Sequence, residues 1–84
     1  MNFTLKVFKN NKVIQRVQTH SIRRFTNQLR TINWQESPLK VYLRVSYGKQ
    51  KDCFRKLVTF YNDGWYETEN NLWLAFNAFL EMGR

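Results

Sequence analysis

Basic and aromatic side chains recur at even spacing in two stretches of this chain. Lys6, Phe8, Lys12 and Arg16 fall within the first twenty residues, and Lys40, Tyr42 and Arg44 form a second run. An interval of two places side chains on one face of a β-strand. Cations set among flat rings suit a particular chemistry: Lys and Arg neutralise phosphates, and aromatic faces stack unpaired bases. A further group, Arg23, Asn27 and Arg30 with Arg24 beside them, has helical spacing and would add phosphate contacts.

Other chemistries find little support in the residues. Cys53 and His20 are each alone in their type, so a nucleophilic pair would have to meet across the fold. Structural zinc needs four Cys or His ligands at paired spacing, which is absent. Asp52, Asp63, Glu67 and Glu69 would be the carboxylates of a magnesium nuclease. Asp63 suits a turn and Glu69 a helix start equally well. No GxxxxGK or GxGxxG run is present to cradle a nucleotide. The chain is therefore expected to be no enzyme and to carry no cofactor or metal.

The charge is lopsided. Residues 1–51 hold eleven Lys and Arg against Glu36 alone, a net of +10; residues 52–84 hold three bases against five acids, a net of −2. Self-repulsion on that scale favours a polyanionic partner over a merely solubilising role. With 84 residues, one domain spanning 1–84 is expected. A lone Cys excludes an intrachain disulfide, and no apolar run is long enough to span a membrane. Residues 1–20 lack the apolar stretch of a signal peptide, so the expected location is the cytoplasm, or a host cytoplasm for a viral chain. Hydrophobic residues make up 43% and aromatics 17%, which argues against a disordered tail.

The elements that must position these residues follow from periodicity. Phe3, Leu5 and Val7 alternate with polar neighbours as a strand, and Val13–Val17 follows as a second. A three-residue loop, Lys9-Asn10-Asn11, would join them with Asn11 at the left-handed position. That register puts Phe3, Leu5, Val7, Val13, Gln15 and Val17 on the core face. It puts Thr4, Lys6, Phe8, Lys12, Ile14 and Arg16 opposite. Ser21 should cap a helix whose apolar stripe is Ile22, Phe25, Leu29 and Ile32. Arg23 and Arg24 then sit in the first turn, where the helix dipole disfavours cations.

Ser37-Pro38 breaks the chain before a third strand. There Leu39, Val41, Leu43, Val45 and Tyr47 point inward, and Lys40, Tyr42, Arg44 and Ser46 outward. A turn at Gly48–Asp52 leads to a strand over Cys53–Tyr61, with Phe54, Val58 and Phe60 inward. After the Asn62-Asp63-Gly64 turn, Trp65–Glu67 would form a short fifth strand, and Thr68 would cap a helix over Glu69–Met82. Its wide apolar arc must bury against a sheet, or against a sheet and a partner.

The expected fold is α+β, order ββαββ(β)α, an antiparallel sheet of four to five strands with both helices on one face. Phe3–Val7 and Val41–Val45 share the pattern apolar, polar, Leu, basic, Val, which suggests two related ββα halves. The uncovered face would then carry Lys6, Phe8, Lys12, Ile14, Arg16, Lys40, Tyr42 and Arg44. This resembles the way open sheets read single strands, although the RNP1 pattern of RNA-recognition modules is absent.

The first expectation is a non-enzymatic nucleic-acid-binding protein, with RNA or single-stranded DNA favoured over duplex DNA. The alternative is a small inhibitor encoded by a virus or mobile element. It would bind a nucleic-acid-processing complex, as anti-CRISPR proteins do. Abundant aromatics favour it as interface anchors, and they also offer a surface for a homodimer.

Overall fold

The computed structural model describes residues 1–46 and 52–82, with Asp52 and Cys53 described by backbone alone. The chain runs β1 (Asn2–Lys9), β2 (Lys12–Thr19), α1 (Ile22–Arg30), a 3-10 turn (Trp34–Glu36), β3 (Leu39–Ser46), β4 (Asp52–Phe60) and α2 (Trp65–Met82). The four strands form one antiparallel sheet in the order β2-β1-β3-β4. The fold is α+β, as the periodicity implies. The inward position expected for Tyr47 and most of the expected Gly48–Asp52 turn lie outside the described residues.

Alternation decides which face is covered. Phe3, Leu5, Val7, Leu39, Val41, Leu43 and Val45 are all buried, as are Phe25 and Leu29 of α1 and Leu72 and Phe76 of α2. Both helices therefore lie on one side of the sheet. Phe25 lies 5.2 Å from Phe3 and 5.4 Å from Phe76, centroid to centroid. Phe54 continues the chain of rings, 5.8 Å from Phe76 and 5.1 Å from Phe79. Each such pair adds about 0.5–1.5 kcal/mol beyond area burial. The rings thus tie α1, α2, β1 and β4 together. Trp34, brought inward by the 3-10 turn, stacks on Phe60 at 4.0 Å.

The β1–β2 turn departs from expectation. It holds two residues, Asn10 and Asn11, both with positive φ (52° and 65°), and Lys9 pairs with Lys12. Two consecutive left-handed residues make the type I′ geometry whose twist suits a hairpin, and Asn tolerates it. The register then slips between Val7 and Phe8, because Ile14 bulges from β2. Val13 consequently pairs with Phe8 on the uncovered side, not with the core, and Lys12 moves to the parity of Lys9. Two expected positions are corrected here: Val13 is not a core residue, and Lys12 does not share the face of Lys6.

The helices begin as capping chemistry dictates. Ser21 caps α1, its Oγ accepting from the Arg24 N–H at 3.2 Å. Ile22 is 41% exposed, so the buried stripe of α1 is Phe25 and Leu29; Ile32 is buried beyond the helix end. No fifth strand exists among the described residues. Gly64 takes φ +78° and its carbonyl accepts from the N–H groups of Glu67 and Thr68, so α2 starts at Trp65. Thr68 lies within the first turns and donates its hydroxyl to Gly64, so it is not the cap. A turn signal reports a reversal of the chain, and here the chain reverses into a helix.

The two halves are symmetric in register as well as order. Each β1 residue has a counterpart 38 positions on in β3, and Leu5 pairs with its own counterpart, Leu43. A pseudo-two-fold axis therefore passes through that pair. The bulges obey it: the slip at Val7/Phe8 corresponds to the slip at Val45/Ser46. Shared bulges at equivalent places are a stronger mark of two related ββα units than five similar residues.

Candidate nucleic-acid interface

The uncovered face is a grid set by strand pairing. One row crosses all four strands as Arg16, Lys6, Tyr42 and Leu57. The next row, toward the Asn10–Asn11 turn, is Val13, Phe8, Lys40 and Thr59. On the other side lie Gln18, Thr4, Arg44 and Arg55. Lys6 stands over the Tyr42 ring, its Nζ 5.9 Å from the centroid. Such a contact contributes about 0.5–1 kcal/mol at an exposed site. Tyr42 is half-buried, Arg16, Lys40 and Arg44 are exposed, and Leu57 is 66% exposed.

Like charges face each other in this grid. Lys6 opposes Arg16 and Arg44 opposes Arg55. Directly opposed like charges destabilise a sheet by a few tenths of a kcal/mol to about 1 kcal/mol. Every charged side chain described on this face is basic.

The sequence-predicted residues divide between two sides of the molecule. Lys6, Phe8, Arg16, Lys40, Tyr42 and Arg44 come together on the uncovered face. Arg23, Arg24, Asn27 and Arg30 are exposed on α1, which packs on the other side of the sheet against β1 and β2. The Arg30 guanidinium lies 5.5 Å from the Trp73 ring of α2, so it joins the two helices. Arg55, Leu57 and Val13 belong to the uncovered face and were missed. The signal for β4 was present: with Phe54 and Val58 inward, Arg55 and Leu57 must point outward. Val13 was hidden by the bulge.

Among the described residues, no three His, Cys, Asp or Glu side chains gather as a metal site. No helix is long and apolar enough to cross a membrane. His20 lies beside the Met1 carbonyl, Nδ1 at 3.2 Å, and the Cys53 side chain lies outside the described set. No protein-family model matches the chain, and neither the curated proteins nor the solved structures gave a match.

Proposed function

We propose that this chain is a non-enzymatic nucleic-acid-binding protein that takes single-stranded RNA or DNA on its uncovered sheet face. The observation that carries the reading is the Arg16–Lys6–Tyr42 row, in which two opposed cations lie beside an aromatic ring. Opposed cations are a cost that a bound phosphate turns into an attraction. The ring offers a base a stacking surface worth about 1–3 kcal/mol. Duplex DNA suits the site less well, because its bases are already stacked and the face has no helix to enter a groove. Fluorescence anisotropy with a short single strand and the matching duplex tests this at low salt. The single strand should bind at least about tenfold more tightly. Absence of binding, or preference for the duplex, overturns the reading.

The inhibitor reading draws on a different surface. Tyr66, Leu74 and Met82 are exposed along α2, spread over about 160° of its circumference, and a protein partner anchored on any of them would use this helix and not the sheet face. Purified protein that is free of nucleic acid, fails the anisotropy test and captures a nucleic-acid-processing complex would favour it.

A further inference from the structure

One end of the uncovered face carries shallow depressions. Two adjoining recesses share Phe8, Asn11 and Lys40. The one on the open side is a shallow depression of about 270 Å³ bordered by Leu57. The other, about 160 Å³, reaches round the sheet end toward Pro38 and Thr59. Sites for drug-sized ligands span roughly 300–1,000 Å³, so the open recess suits a single ring system.

Its lining is selective. Phe8 and Leu57 supply apolar walls, Lys40 a cation, and Asn11 an amide with both donor and acceptor. Gly is favoured at the second position of a type I′ turn, yet Asn11 holds it at φ 65° and so keeps a side chain there. The pseudo-two-fold counterparts of Phe8, Lys40 and Leu57 are Ser46, Asn2 and Gln18. The aromatic and cationic lining is therefore particular to this end and not a by-product of the repeated ββα unit.

We infer that this recess holds one unpaired base of the bound strand. Its ring lies on Phe8, its edge meets the Asn11 amide, and its phosphate lies near Lys40. The inference rests on the single-strand reading above. Phe8 in β1 and Tyr42 in β3 are diagonal neighbours, one row and one strand apart, a separation of about 7–8 Å. The recess and Tyr42 can thus serve neighbouring nucleotides of one strand.

The test uses a short single-stranded DNA that is abasic everywhere except for one 2-aminopurine, whose fluorescence is quenched on stacking. Bound to the wild-type protein, the base should be quenched. Tyr42 can itself stack the lone base once Phe8 is gone, so the Phe8 variants are read in the Tyr42→Ala background at saturating protein. There Phe8→Ala should abolish the quench and leave only a salt-sensitive residual affinity. Tyr42→Ala should leave the quench intact. Should Phe8→Ala fail to fold, Phe8→Leu keeps an apolar side chain and removes the ring. Quenching that survives loss of the Phe8 ring, or that disappears with Tyr42→Ala, overturns the inference while leaving the surface reading in place. A wild-type protein that binds no strand at low salt overturns both.

Discussion

Val41 and Tyr42 are adjacent in β3 and project to opposite sides of the sheet. Val41 is fully buried between β1 and β4, paired with Val7 and Val58. Tyr42 lies half-buried beneath the Lys6 ammonium. Val41→Ala deletes buried methyl groups and should cost about 1–3 kcal/mol, seen as a fall in melting temperature with single-strand affinity per folded molecule unchanged. Tyr42→Ala should do the reverse: a shift of only a few degrees, and affinity lower by about tenfold. Melting caused by Tyr42→Ala with unchanged affinity would assign the ring to structure alone. These two orientations were legible in the sequence, because strict alternation from Leu39 to Val45 admits one inward set. Val13 was not legible. Val13-Ile14 is a pair of apolar residues beside a turn, and either can face the core until the turn length is known. The turn length depended on how many residues take positive φ, and Asn10-Asn11 permits one or two.

At the scale of elements, the four strands, α1 and its Ser21 cap followed from periodicity and capping chemistry. The start of α2 did not. Trp65-Tyr66-Glu67 after Asn-Asp-Gly carries as much strand propensity as helix propensity, and burial of Trp65 against the core favours the helix. The division of basic residues between two sides of the sheet was likewise hidden. Spacing assigns Arg23, Asn27 and Arg30 to one helix face but gives no position of that helix relative to Lys6 and Tyr42. The short helix α1 has Arg23 and Arg24 in its first turn and no acid there to offset them. Each cation opposes the dipole by about 0.3–1 kcal/mol. Arg23→Glu with Arg24→Glu should therefore preserve or raise the melting temperature, measured by circular dichroism. Unfolding of the double variant would make those side chains structural.

For the whole molecule, charge divides between the three strands β2, β1 and β3 and the remaining edge strand with α2. β2, β1, β3 and α1 come from the half with a net charge of +10, while β4 and α2 come from the half with −2. A polyanion is thus drawn to the three basic strands and away from the carboxylates of α2. The uncovered face presents five cations, Lys6, Arg16, Lys40, Arg44 and Arg55. Each phosphate neutralised on a single strand contributes about −0.7 to the slope of log affinity against log salt concentration, so full engagement gives about −3.5. Lys6→Gln with Arg16→Gln removes two of these cations and should make the slope shallower by about 1.4. Arg23→Glu with Arg24→Glu acts from the other side of the sheet and should leave the slope nearly unchanged. Anisotropy titrations at several salt concentrations separate the two cases. Equal changes from both pairs would mean that the strand wraps around the β2 edge onto α1. A slope near zero in the wild-type protein would mean that phosphates contribute little and would overturn the electrostatic part of the reading.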